Sequence, residues 1–155
     1  MELQYSSKYR SLQEEVRSFI KEYRHLSPRT GGGRKRPDKR ALDWQKLLLD
    51  RGFFARNIPK DYGGLGLPVD VMELSIIADE FSTAGISPGI MNQGISMLVP
   101  TLLEVGTKEQ CARWIRPTIR GDVIWCQGYS EPGSGSDLAA AKTTARTEDG
   151  HFVIN

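Results

Sequence analysis

Near residue 122 the chain changes its hydrophobic period, and no other feature constrains its fold as much. Up to Gly121-Asp122 apolar residues return at three- and four-residue steps, the spacing of helices with one buried face. From Val123 onward the runs are β-branched and aromatic: Val123-Ile124-Trp125-Cys126-Gln127, then residues 143–147, then His151 to Ile154. That composition belongs to strands. The expected class is α+β, with an N-terminal all-α helical bundle over residues 1–122 followed by the beginning of a β-domain over 123–155.

Five helices are expected in the first part. The first covers 7–25, with Tyr9, Leu12, Val16, Phe19, Ile20 and Tyr23 inward and Ser6 or Ser7 as cap. Pro28 and Gly31, Gly32 and Gly33 then open a loop. The second covers 39–51, with Leu42, Leu47 and Leu48 buried and Gly52 as its stop. Residues 57–68 are a proline-glycine loop. The third spans 69–83, with Val71, Leu74, Ile77 or Ala78, and Phe81 on one side. The fourth, 88–105, is apolar almost all round, the pattern of a central buried helix, with Pro100 kinking or breaking it. Thr107-x-x-Gln110 opens the fifth with a capping-box pattern, placing Cys111, Trp114 and Ile115 inward.

In the second part Glu148-Asp149-Gly150 separates two strand-like runs, and Asp-Gly in that setting signals a tight hairpin. One strand and one hairpin cannot bury a face of their own. The sequence is therefore expected to continue beyond Asn155 or to rely on a partner.

Charge excludes some functions. The net charge of +2 gives no field for nucleic-acid or membrane binding. The basic run Arg34-Lys35-Arg36-Pro37-Asp38-Lys39-Arg40 lacks the interleaved aromatics of a nucleic-acid site and reads as a solvated loop leading into a helix. No apolar stretch approaches the roughly 20 residues of a membrane span, and the N-terminus has no signal-peptide core. Cys111 and Cys126, fifteen positions apart, with only His25 and His151 as distant additional donors, are expected as reduced, mostly packed thiols without a metal. A cytoplasmic location is the expectation for such thiols.

The segment with most chemical content is Gln127-Gly128-Tyr129-Ser130-Glu131-Pro132-Gly133-Ser134-Gly135-Ser136-Asp137-Leu138. It follows a strand-like run. Pro132 fixes a turn, Gly133 and Gly135 permit positive φ, and the amides of 133–137 can then converge on an anion. Ser134 and Ser136 add hydroxyls without bulk. An ordinary glycine-serine turn fits the same residues. The pattern is neither a P-loop nor the dinucleotide fingerprint.

The stretch from Tyr129 to Asp137 resembles the signature of the acyl-CoA dehydrogenases, in which Thr-Glu-Pro precedes a small residue and Gly-Ser-Asp. Three further stretches resemble that family in the same order and spacing: Ile58-Pro59-Lys60-Asp61-Tyr62-Gly63-Gly64-Leu65-Gly66, Gly106-Thr107-Lys108-Glu109-Gln110, and Asp149-Gly150-His151-Phe152-Val153-Ile154-Asn155. The resemblance implies a protomer of a helical domain, a middle β-domain and a C-terminal bundle, with the present residues covering the first and the opening of the second.

It also implies FAD as cofactor. Gln127, Gly128, Tyr129 and Ser130 match the positions that meet the flavin ring, Ser130 standing where the family usually has Thr. Ser136 matches the serine at the flavin pyrophosphate and the CoA-bearing substrate. Met91 and Ile95 fall where the family walls its acyl cavity, although ordinary core packing is the commoner role for any single residue of such a helix. Glu131, Gly133 and Asp137 are expected to shape the turn, Asp137 as a local cap. The implied reaction is α,β-dehydrogenation of an acyl-CoA thioester, with an electron acceptor such as an electron-transfer flavoprotein and a homo- or hetero-oligomeric assembly. No catalytic residue is assigned here, because the family's carboxylate base lies in its C-terminal domain. Two other readings stay open: a non-catalytic or truncated subunit, and an acyl-CoA oxidase or flavin monooxygenase of the same fold.

Overall fold

In the computed structural model, which describes residues 5–28 and 36–155, helices α1 (Ser7–Tyr23), α2 (Lys39–Asp50) and α3 (Val71–Ala84) meet around the ring of Phe19. Its centre lies 4.8 Å from that of Phe53, 5.2 Å from Tyr23, 5.5 Å from Trp44 and 6.0 Å from Phe81. Leu12, Val16, Ile20, Leu48, Ile76, Ile77 and Ile86 complete this core. A second core joins α4 (Val99–Val105) and α5 (Lys108–Ile119) through Ile58, Val99, Cys111, Ile115 and Ile119. These helices belong to one unit that runs to Trp125; Cys126 to Asn155 form another.

Helix starts follow from local chemistry. Asp38 Oδ1 accepts from the Ala41 amide at 2.8 Å, Asp70 accepts from Met72 and Glu73, and Thr107 and Gln110 form the reciprocal capping box. The cap expected at Ser6 or Ser7 is not made by a side chain: the Ser6 carbonyl accepts from Arg10 at 3.0 Å, and its hydroxyl bonds no helix amide. At the end of α2, Gly52 at φ +73° lets its own amide reach Leu49 and that of Phe53 reach Leu48, the paired closure that favours glycine. Gly31, Gly32, Gly33, Arg34 and Lys35 lie outside the described residues. From the far end of the basic run, Arg40 donates to the carbonyls of His25 and Leu26.

Several buried faces differ from expectation. In α2 the fully buried residues are Trp44, Gln45 and Leu48, with Leu42 and Leu47 half-buried. The helix turns its largest side chain inward, where the Trp44 indole donates to the Ser87 carbonyl at 2.9 Å. In α3, Val71 is 73% exposed and Leu74 47% exposed, whereas Ile76, Ile77 and Phe81 are buried. Its orientation also serves ion pairs to α1: Lys8 with Asp70 and Glu73 at 2.8 and 2.7 Å, and Arg17 with Glu80 at 2.8 Å.

The continuous central helix expected over 88–105 does not form. Residues 88–92 are irregular, helix begins only at Gln93, 94–98 make a π turn, and α4 starts at Val99. Pro100 is the cause. It has no amide to give the Ser96 carbonyl and its ring opposes that carbonyl, so the preceding turn widens and the Val99 amide bonds to Gly94. Nor is the segment buried all round: Met91, Met97 and Val105 are exposed.

The strand expected at 123–127 is also absent. A strand needs a ladder partner, and no described segment pairs with it. Trp125 instead turns back to α5, its indole donating to Thr118 Oγ1 at 2.9 Å and its ring standing edge-on to Trp114.

In the second unit, β1 (Ala145–Glu148) and β2 (His151–Ile154) pair antiparallel, Ala145 opposite Ile154 and Glu148 opposite His151. Asp149 and Gly150 both take positive φ, +48° and +77°, as the two-residue turn of matching twist requires. Reciprocal bonds between Thr144 and Asn155 extend the ladder.

Candidate functional site

Within the second unit, the turn after Pro132 is shaped by two side chains. Backbone bonds between Glu131 and Ser134, at 2.8 and 3.1 Å, close a tight loop. The buried Ser134 hydroxyl donates to the Asp137 carbonyl at 2.7 Å. That same carbonyl accepts from Ala140 as the chain enters a short 3₁₀ turn over Leu138–Ala140. The Glu131 carboxylate accepts from the amides of Lys142 and Thr143 at 2.7–3.0 Å, drawing both ends of the loop together. The Thr143 side chain first, and then the two amides, hold the Glu131 carboxyl below the usual glutamate range.

Glu131 thus shapes the turn, as expected. The other local expectations need correction. Asp137 makes no side-chain cap; its carbonyl does the bonding. Gly133 and Gly135 are not at positive φ, because the loop closes through ordinary backbone conformations. A Cβ placed on Gly128, Gly133 or Gly135 would meet nothing within 4 Å. Neither conformation nor internal packing requires glycine at these three positions, and each presents bare backbone to open space.

Gln127, Gly128, Tyr129 and Ser130 occupy an exposed segment without regular structure, Tyr129 being 68% exposed. Ser136 is exposed on the turn, and its hydroxyl has no hydrogen-bond partner among the described residues. Ser134 bonds its own backbone, so the two serines divide the work: one closes the turn, the other faces outward.

Met91 and Ile95 lie in the other unit. Met91 is 63% exposed and Ile95 half-buried. Between them the Asn92 Oδ1 accepts from the Gly94 amide at 2.7 Å, while its buried Nδ2 has no partner among the described residues. Sequence reasoning missed Gln45, which bonds the Ile90 amide beside Met91; its one signal was an amide placed next to Trp44 on a helix that needs an apolar face. Cys111 is buried and donates to the Leu102 carbonyl, whereas Cys126 is exposed rather than packed. Among the described residues no three His, Cys, Asp or Glu side chains converge as metal ligands, and no helix is long and apolar enough to cross a membrane.

The sequence profile described as "Acyl-CoA dehydrogenase, N-terminal domain" matches residues 6–122. The chain belongs to the acyl-CoA dehydrogenase family. It is 41% identical over 111 residues to the short-chain specific mitochondrial acyl-CoA dehydrogenase of Homo sapiens, a match that covers 71% of this chain and 26% of that one. It is 38% identical over 111 residues to the 3-(aryl)acrylate reductase of Clostridium sporogenes, covering 71% and 29%. Among solved structures, the ChsE4-ChsE5 complex of Mycobacterium tuberculosis matches with a TM-score of 0.67 and 30% identity, over 100% of this chain and 38% of that one. The Tcur3481-Tcur3483 steroid ACAD matches with a TM-score of 0.68 and 30% identity, over 99% and 39%. The chain thus spans about a quarter of the curated family members and under two fifths of these solved chains.

Proposed function

We propose that this chain supplies the N-terminal helical domain (1–122) and the opening of the middle β-domain (123–155) of an FAD-dependent enzyme that dehydrogenates an acyl-CoA thioester between Cα and Cβ. The observation that carries this reading is the turn at 131–137. Its shape is fixed internally by Glu131 and Ser134, while Ser136 and the bare backbone of Gly128, Gly133 and Gly135 face open space. A phosphate needs close backbone approach and small hydroxyl donors, and these residues fit that requirement.

In this reading the backbone of 127–130 and the Ser130 hydroxyl meet the flavin ring, and Ser136 donates to its pyrophosphate or to the CoA ester. Glu131 and Ser134 keep the turn rigid, so that donors are in place before the ligand arrives. Bound FAD supplies hydride acceptance from the substrate. The α-proton goes to a base outside these 155 residues. Met91 and Ile95 contribute to the wall facing the acyl group. The acceptor of the reducing equivalents is a protein such as an electron-transfer flavoprotein, and the working form is an oligomer. The two-component names of both solved relatives favour a hetero-oligomer. A non-catalytic subunit of such an assembly is the second reading, favoured by the same two names.

Turnover of a panel of CoA esters by the full-length protein, with an artificial electron acceptor and with air, tests the proposal. Acceptor-dependent oxidation of at least one ester is the expected result. Peroxide formation in air moves the assignment to an oxidase. No turnover of any ester by flavin-loaded protein overturns the catalytic reading.

A further inference from the structure

Gln45 is fully buried, and its amide is engaged at both ends. Nε2 donates to the Ile119 carbonyl at 2.6 Å, and Oε1 accepts from the Ile90 amide at 2.8 Å. One residue earlier, the Trp44 indole holds the Ser87 carbonyl. The stretch from 87 to 92 has neither helix nor strand, so side chains replace the ladder that would otherwise fix it. The Ser87 amide donates to Ser27 Oγ, the Gly89 amide to Ser87 Oγ, and the Gly94 amide to Asn92 Oδ1. The fit is tight. A Cβ on Gly89 would lie 2.6 Å from Gln45 Oε1 and 3.3 Å from the Leu48 and Phe54 side chains. On the far side the Ile90 side chain passes Gly121, where a Cβ would meet it at 2.6 Å.

We propose that Gln45 is a positioning residue for acyl specificity: by tying the Ile90 amide to the last turn of α5, it sets where Met91 and Ile95 stand and so which acyl groups fit. The inference rests on the reading of those two residues as part of the acyl wall. Glutamine suits the task because one planar group supplies an acceptor and a donor at once. Methionine has the same length and supplies neither. Asparagine supplies both but is one methylene shorter and spans to only one partner. Once released, the Ile90 peptide is free to rotate, and displacements near 1 Å at a binding wall change which substrates are held productively.

The test uses the full-length, flavin-loaded protein with Gln45→Met, the milder Gln45→Asn, and Val16→Ala as a control in the α1 core. Each is assayed on straight-chain and ring-bearing CoA esters, and amide hydrogen exchange is followed in parallel. Both Gln45 variants are expected to change the kcat/KM ratio between the smallest and largest ester by about tenfold, the scale of one misplaced methylene in a pocket, with the change carried by KM. Amides of residues 89–95 are expected to exchange about tenfold faster, as loss of one buried hydrogen bond allows, while α1 keeps its protection. Val16→Ala is expected to lower stability and leave the ester ratio unchanged. An unchanged ratio in both Gln45 variants, with wild-type turnover intact, overturns this proposal alone. So does an equal rise of exchange in α1 and in 89–95. A wild-type protein that turns over no CoA ester removes the proposed function and the specificity role with it, and the exchange pattern then decides only whether Gln45 holds the segment.

Discussion

The Glu131 carboxylate lies 2.7 Å from the amide of Thr143, twelve residues further along, and this contact ties the outer turn to the approach of the hairpin. Glu131→Ala is expected to leave the first unit unchanged and to deprotect the amides of Lys142 and Thr143, read by amide exchange. The pH dependence follows from the sign of the shift. The carboxyl titrates below its ordinary value in the folded chain, so the contact is fully present above about pH 4.3, the unfolded glutamate value, and is lost as pH falls through the lower folded value. Protection of the Thr143 amide, taken as its exchange rate relative to an unstructured amide at the same pH, should therefore fall with acidification in the wild type and be insensitive to it in Glu131→Ala.

Glu73 is the hub of the α1–α3 contact, paired with Arg56 and Lys8, both at 2.7 Å. Arg56 and Glu73 are mostly buried, with side chains 15% and 12% exposed, while Lys8 is 61% exposed. Removing Glu73 strands the shielded guanidinium, and Glu73→Ala is expected to cost about 2 kcal/mol in urea unfolding. Lys8→Ala should cost far less, since its charge is solvated either way. Lys8 leads in holding both Asp70 and Glu73 below their ordinary values, and Arg17 does the same for Glu80. Depressed carboxylates stabilise above their unfolded pKa and cease to do so as pH falls through the folded one. Unfolding midpoints should drop below about pH 4, and less steeply in Glu73→Ala.

Gly64 has no room for a side chain. A Cβ there would lie 2.1 Å from the Ile58 carbonyl oxygen and 2.6 Å from that of Ala55, contacts only backbone movement can relieve. Gly64→Ala is expected to destabilise by about 3 kcal/mol or more. Gly85→Ala, at φ +64° with open space around it, carries only the left-handed penalty of about 1 kcal/mol. Thermal unfolding of the two variants side by side checks the difference.

Gly133→Ala and Ser136→Ala separate binding from folding. Neither position contributes internal packing, so the stability of the 155-residue chain should stay within about 0.5 kcal/mol. In the full-length protein each is expected to weaken FAD or CoA-ester binding by about tenfold, Ser136→Ala by removing one hydrogen bond to a charged group and Gly133→Ala by putting a methyl where the ligand would approach bare backbone. Titration of both ligands by fluorescence is the measurement, and unchanged affinity for both removes the residue from the site. The 155 residues alone are expected to hold no stoichiometric FAD, since the ordering cost is undiminished while few contacts are available; a flavin absorbance spectrum on the purified chain decides this.

Local chemistry was the legible part of this sequence. Thr107 with Gln110, and Asp149-Gly150, act through neighbours a few residues away, and each punctuates the chain where its pattern indicated. Long-range pairing was not legible. Val123 to Gln127 has strand composition but no ladder partner, and Trp125 went to Thr118 instead. The wheel drawn over 88–105 failed because Pro100 widens the preceding turn and shifts the phase of everything before it. Gln45 was invisible for a different reason: a polar residue is buried only when two backbone groups distant in sequence converge on it, and no periodicity records that. In the candidate site, a turn forms where the motif stands, closed by Glu131 and Ser134, but its glycines do not take the positive φ their pattern permits.

The face of the two-stranded ribbon that carries Phe152 and Ile154 is wet, these side chains being 77% and 66% exposed. A ribbon of this size is marginal alone and offers unpaired strand edges on both sides. Purified as 155 residues, the chain should behave as a sticky solute whose sedimentation coefficient climbs with concentration, and exchanging Phe152 for a charged residue should suppress the climb without touching the helices.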